Sequence, residues 1–208
     1  MGAPRFVIVS TGRCGSSYVA KVLRDAGIYC GHENWWTMHA PRVYDLVGDS
    51  SWLAVGHLDG YTGDVFHLVA DPMKVLSRLQ HELDPSYSGD YALHRQQVSG
   101  VKPSGDWIRD AVRAYNAYIR QCVAAAWWHI HVETFDATDI HNIGVVVGVE
   151  VSLQRTHEAL ARTPKNWNTK PNYERLRFED LPPGDDLDEF VSLARWVGYE
   201  VTSPTARD

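Results

Sequence analysis

Apolar residues along this chain fall in short blocks whose spacing switches between strand-like runs and helical periods. Arg5–Ser10, RFVIVS, is rich in β-branched residues and predicts a buried strand. From Ser16 to Ala26 the positions Tyr18, Val19, Val22, Leu23 and Ala26 recur at helical spacing. Gly27 then predicts the C′ residue that ends the helix. Ile28–Cys30, Ser51–His57 and Asp64–Val69 predict three further strands. Asp71-Pro72 predicts a helix start, with Asp as N-cap and Pro in the first position, and Val75, Leu76, Leu79 and Leu83 share one face of that helix. Residues 84–105 are rich in Ser, Gly, Pro and Tyr and predict a long loop. Asp106 predicts the cap of a long helix running to about Ala124. Trp128, Ile130 and Val132 alternate with His129, His131 and Glu133, a strand pattern. Asp136–Val147 and Ser152–Arg162 predict helices, residues 163–183 form a polar segment, and a last helix runs from about Asp186 to Val197.

Strands alternating with helices imply an α/β fold: a central, mostly parallel sheet with helices on both faces. There is no internal repeat and no linker composition, so the 208 residues read as one domain, 1–208. Apolar residues make up 44% of the chain, enough for an ordinary core. The net charge of −6 argues against a general nucleic-acid binder or a binder of anionic membranes, but leaves room for a local basic site. Three cysteines, Cys14, Cys30 and Cys122, match no metal spacing and follow no signal peptide, which predicts a reduced, cytoplasmic protein. No apolar run reaches the length of a membrane span.

The densest chemistry lies between the first strand and the first helix, in STGRCGSS. A Gly-rich turn into a helix N-terminus offers outward-pointing amides and the positive end of the helix dipole to an anion. Gly12 and Gly15 let the backbone approach it, Ser16 and Ser17 can donate hydrogen bonds, and Arg13 brings a planar positive charge suited to phosphate or sulfate. The Walker A lysine is missing and only two residues separate the glycines, which disfavours an ATP- or GTP-dependent kinase. The alternative reading is a plain strand-to-helix turn.

TGRCGSSYVAKVLRDAGIYCGHE, residues 11–33, resembles the 5′-phosphosulfate loop and following helix of sulfotransferases, nearest to the tyrosylprotein and bacterial members. Arg13-Cys14-Gly15-Ser16-Ser17 and Cys30-Gly31-His32-Glu33 carry that likeness. DVFHLVADPMKVLSRLQHEL, residues 64–83, resembles the family's 3′-phosphate element. Ser77 takes the place of its serine, and Ala70 stands where the family has an arginine. Arg78 or Lys74, or one of Lys165, Lys170, Arg175 and Arg177, can stand in for that cation; the alternatives are weak donor binding or a different nucleotide. NWNTKPNYERLRFEDLP, a helix and GYE look like the end of bacterial family members, so the likeness spans most of the chain.

The resemblance implies a P-loop NTPase-like three-layer fold. It implies transfer of a sulfuryl group from 3′-phosphoadenosine-5′-phosphosulfate to a small-molecule or peptide hydroxyl, without a metal. Gly12, Arg13, Cys14, Gly15, Ser16, Ser17, Ser77 and Arg78 would hold the donor, with Arg13 also acting in transfer. An acceptor hydroxyl needs a base. His57 matches the position of a catalytic histidine in the cytosolic sulfotransferases, and Glu33 matches a catalytic glutamate of the tyrosylprotein enzymes. The alternatives are a non-catalytic nucleotide or phosphate binder on the same fold and a nucleotide-dependent phosphotransferase. Three further groups have two readings each. Trp35 and Trp36 wall an acceptor cleft or fill the core. His129, His131 and Glu133 ligate a metal or form the solvent face of a strand, the second being the expectation. GDWIRDAV is read as a helix cap rather than as a donor loop.

Overall fold

A computed structural model describes residues 4–36, 46–164 and 175–201. Their contacts gather into two compact units, Met1–Val69 with Ala125–Lys170, and Ala70–Ala124 with Pro171–Asp208.

The first unit holds a five-stranded sheet: β1 (Phe6–Val9), β2 (Cys30–His32), β3 (Gly48–Ser50), β4 (Asp64–Val69) and β5 (Trp128–His131), in the order β2-β3-β1-β4-β5. Every neighbouring pair is parallel, as the alternation of strands and helices implies. The central strand β1 is FVIV with all four side chains fully buried, the continuous apolar run of a strand covered on both faces. Helix α1 (Ser16–Ala26) follows β1 and buries Tyr18, Val19, Val22, Leu23 and Ala26, the stripe predicted for it. Gly27 ends it at φ 106°, with its N–H returned to the last turn.

The chain leaves β1 toward the β2 edge, fills in β3, then passes to the other side of β1 to form β4 and β5. Its direction therefore reverses between β1 and β4, and open α/β sheets bind ligands at such a reversal, outside the carboxyl ends of the strands. The glycine-rich loop leaves β1 at that end.

Three sequence expectations are corrected. The strand expected at Ile28–Cys30 is displaced to Cys30–His32. The strand expected at Ser51–His57 is a 3₁₀ turn over Leu53–His57, and the strand is Gly48–Ser50, just before it. Gly48 and Asp49 have poor strand propensity, but tertiary context decides. A Cβ at Gly48 would collide with the Phe6 ring, and Asp49 uses its carboxylate to anchor residues 34–36, the segment that follows β2. The loop expected over 84–105 contains two helices.

The second unit begins with α2 (Pro72–Leu83). Asp71 caps it by accepting from the Met73 and Lys74 amides at 2.9 and 3.4 Å, with Pro72 at the first position as predicted. Next come α3 (Pro85–Ser88) and α4 (Asp90–Ser99), the helices missed in the expected loop. Helix α4 has no apolar stripe, because its buried anchor is a charge: fully buried Arg95 places Nη2 2.7 Å from Glu82 Oε2 and stacks near the Tyr91 and Tyr118 rings. Helix α5 (Trp107–Ala125) starts at Asp106, which accepts from the Arg109 amide at 3.1 Å, so GDWIRDAV is a helix cap. In the first unit, α6 (Ala137–Val147) opens with a capping box between Asp136 and Asp139, and α7 (Leu153–Arg162) is capped by Ser152. Helix α8 (Asp185–Trp196) docks on α5 through Arg113–Asp186 at 2.7 Å, Arg120–Glu189, and a Tyr115–Phe190 edge-to-face pair. Among the described residues, no helix is long and apolar enough to cross a membrane.

Candidate functional site

The turn after β1 is built from left-handed backbone. Gly12, Arg13 and Gly15 have φ of 76°, 56° and 82°, so three of four consecutive residues turn their amides away from ordinary strand geometry, as in anion-binding nests. Glycine at position 15 is required twice over. Its φ disfavours any side chain, and a Cβ there would meet Val132 Cγ2 at 2.8 Å. Inside the loop, the Gly12 amide donates to Ser10 Oγ at 3.0 Å, and the Cys14 thiol donates to the Gly12 carbonyl at 3.2 Å. The side chains of Ser10 and Cys14 therefore hold the loop's shape. Residue 15 carries no side chain to cap α1, so the amides of the first helical turn have no side-chain cap.

Ser16 opens α1 and is 7% exposed. Its Oγ lies 3.0 Å from His32 Nε2, at the end of β2. The next residue, Glu33, brings Oε1 to 3.8 Å from the same nitrogen. Glu33 has φ 54° and donates its amide to Ser50 O at 3.1 Å, extending the β2–β3 ladder before the chain turns away. Arg13 and Glu33 are the two non-glycine residues with left-handed backbone among the described residues.

Asp49 of β3 completes this end of the sheet. Its buried carboxylate accepts from the amides of Asn34, Trp35 and Trp36 at 3.1–3.2 Å, which fixes the segment after Glu33. Burial pushes its pKa up, while those three amides and His32 pull the other way. Burial also lowers the His32 pKa. Asp49 acts against that shift, and Arg13 and Arg24 add to it.

The structure thus brings Arg13, Ser16, His32 and Glu33 together at the carboxyl end of β1 and β2. Ser17 lies half-buried beside Ser16. His57 ends the 3₁₀ turn after β3 and is exposed, and no hydrogen bond or ion pair among the described residues ties it to this group. Trp35 and Trp36 are half-buried, and Trp36 meets Tyr61 edge-to-face at 5.5 Å.

Ser77 and Arg78 belong to α2. The Ser77 hydroxyl is buried, donates to Met73 O at 2.6 Å and accepts from the Leu176 amide at 2.9 Å. Ala70, in the family's arginine position, is buried. Among the cations named as replacements, Lys74 is 3.8 Å from Asp71, and Arg177 pairs with Glu179 and Asp180 at 3.3 Å. Lys165 and Lys170 lie outside the described residues. His129, half-buried on the edge strand β5, has its Nδ1 3.0 Å from Nδ1 of fully buried His67 of β4. Strand pairing sets these two residues opposite each other.

His32 and Asp49 were missed as site residues. The motif CGHE flagged Glu33, and the signal for His32 was its place one residue earlier, at the strand end. Asp49 carried no signal, because its strand was not recognised. Compared with known proteins, the chain matches no family model, no curated protein and no solved structure.

Proposed function

We propose that this protein is a sulfotransferase-like enzyme on a P-loop NTPase-like, three-layer fold. It would move a sulfuryl group from 3′-phosphoadenosine-5′-phosphosulfate to a hydroxyl of a small molecule or peptide. One observation carries the reading. Left-handed backbone at non-glycine residues costs roughly 1–3 kcal/mol each and gathers at functional sites. Here it falls on Arg13 and Glu33, the residues that the sulfotransferase likeness assigns to donor and acceptor. The parallel sheet, with its reversal beside β1, supports the same site.

In this reading the transferring group is SO₃-like, and catalysis is positioning plus neutralisation of the leaving phosphate. Arg13, the first-turn amides of α1 and the Ser16 and Ser17 hydroxyls carry that charge. Glu33 takes the acceptor's proton, since it stands within the Arg13–Ser16–His32 group and His57 does not. Cys14, Cys30 and Cys122 are buried as thiols, which fits a reducing, cytoplasmic setting.

A second reading is a binder of nucleotide or phosphate without transfer. Ala70 in the arginine position and the prior hydrogen bonds of Ser77 favour it. Calorimetry with adenosine 3′,5′-bisphosphate, ATP and GTP side by side decides. Preference for the bisphosphate, with sulfation of a phenolic acceptor from the full donor, supports the enzyme. Binding of the bisphosphate without turnover over a panel of hydroxyl acceptors supports the binder. Preference for ATP or GTP returns the phosphotransferase, and no binding of any of the three rejects the nucleotide site.

A further inference from the structure

Within this group a hydroxyl and an imidazole are joined directly. Ser16 Oγ lies 3.0 Å from His32 Nε2, and Glu33 Oε1 is 3.8 Å from that nitrogen. A serine hydroxyl has one proton and two lone pairs, whereas each imidazole nitrogen is a donor or an acceptor according to its protonation. If Nε2 is bare, Ser16 gives its proton to His32 and presents only lone pairs to the start of α1, which repel an anion. If Nε2 carries a proton, His32 donates to Ser16 Oγ, and the Ser16 proton is left to meet an anion in the loop. One proton on one nitrogen therefore reverses the polarity of the pair.

We propose that His32 is a positioning residue for the anion held by the β1–α1 loop. By donating from Nε2 to Ser16 Oγ as the imidazolium, with Nδ1 also protonated, it makes Ser16 a donor, so that anion binding and protonation of His32 are coupled. The inference rests on the reading that this loop holds an anionic group of the nucleotide. The charged groups around the imidazole come from each neighbouring element. Glu33 at the end of β2 and Asp49 of β3 favour a proton on it, while Arg13 of the loop and Arg24 of α1 oppose one. Burial opposes it most, so the free protein holds His32 neutral at pH 7. A bound anion adds negative charge on the far side of Ser16 and tips this balance toward the proton.

The full chain should be titrated with inorganic sulfate and with adenosine 3′,5′-bisphosphate between about pH 5.5 and 8.5, in buffers of different ionisation enthalpy. Sulfate does not titrate in that range, so any slope is the protein's own. Affinity should fall with rising pH by up to about tenfold per unit, with net proton uptake on binding. The His32 ring resonance should titrate at higher pH when sulfate is bound. H32Q places an amide donor near the Nε2 position, and should keep the low-pH affinity with a flattened profile. H32L removes the donor, and should bind roughly tenfold more weakly with the same flat profile. S16A should lose the proton uptake while His32 still titrates. A role in packing alone predicts that H32Q and H32L behave alike, and that result overturns the proposal. So does binding of sulfate by the parent without proton uptake. Coupled binding of sulfate without binding of bisphosphate keeps this inference and removes the sulfotransferase reading. Binding of bisphosphate together with uncoupled binding of sulfate does the reverse, and no binding of either anion removes both.

Discussion

Two arginines divide the labour of positive charge in this protein. Arg95 of α4 is fully buried, held by Glu82 at 2.7 Å and flanked by two tyrosine rings. Burial alone would lower its pKa, yet the Glu82 carboxylate raises it well above the ordinary arginine range, so its charge is permanent. Arg13 is half-exposed, lies in a left-handed turn and stands at the carboxyl end of a parallel sheet. One guanidinium completes an interior, and the other is carried by a left-handed turn at the end of the central strand. Two histidines repeat the contrast. His67 is sealed against His129, while His32 is bonded to a loop hydroxyl beside Arg13 and Glu33. Arg95 and His67 are thus enclosed by the fold, whereas Arg13 and His32 gather at the strand ends, where the proposed anion site lies.

The sharpest way to break that contrast is Arg95→Met. Removing one partner of a buried pair strands the Glu82 charge, and should destabilise the protein by about 3–5 kcal/mol. Urea denaturation measures it. Adding Glu82→Leu should recover most of the loss, since the uncompensated charge goes with it. A single mutant as stable as the parent would mean that the pair does not organise α4.

Arg13→Ala should do the opposite. Stability should stay within about 0.5 kcal/mol of the parent, as for surface changes generally. Affinity for adenosine 3′,5′-bisphosphate should drop by about 1.5–3 kcal/mol, or roughly ten- to a hundredfold. Calorimetry on the parent and the mutant reads it. Unchanged affinity would move Arg13 out of the site.

Ser77 was chosen from the sequence as a phosphate ligand, and its buried hydroxyl is already bonded to Met73 O and the Leu176 amide. Ser77→Ala leaves the buried Leu176 amide without its acceptor, and should cost about 1–3 kcal/mol of stability. If instead stability holds and only bisphosphate affinity falls, Ser77 belongs with Arg13.

These assignments show what the sequence could carry. The apolar stripe of α1, the Asp71-Pro72 start of α2 and the Asp106 cap of α5 are local devices, readable because the residues that make them are neighbours in the chain. Arg13, Ser16 and Glu33 were legible because turn chemistry and a motif mark them. Strand β3 was not, since Gly48 is there to clear the Phe6 ring and Asp49 to hold the amides of residues 34–36. Helix α4 was hidden for a like reason, being anchored by an arginine whose partner lies thirteen positions earlier. Interactions between distant residues leave no period in a sequence.

A response to acid separates the two histidines. Fully buried His67 has Nδ1 3.0 Å from His129 Nδ1, and its Nε2 has no hydrogen-bond partner among the described residues. Burial first, then the neighbouring His129 and His131, lower its pKa to about 3. An unfolded imidazole takes its proton near about pH 6.5. Between those values the unfolded chain binds a proton that the folded chain refuses. The stability that neutral His67 contributes is therefore complete above about pH 6.5 and is lost as pH falls toward the folded value. One such group gives a slope of up to about 1.4 kcal/mol per pH unit. Urea midpoints between about pH 7 and 4 should fall in the parent and fall less steeply in His67→Gln, which cannot titrate. His32 is also lowered, so His32→Gln should flatten the curve in the same direction. The effect should be smaller, because Asp49 acts against its shift. Equal slopes in His67→Gln and the parent would show that the interior pair tolerates its proton, and that the acid sensitivity of the fold belongs to the edge group instead.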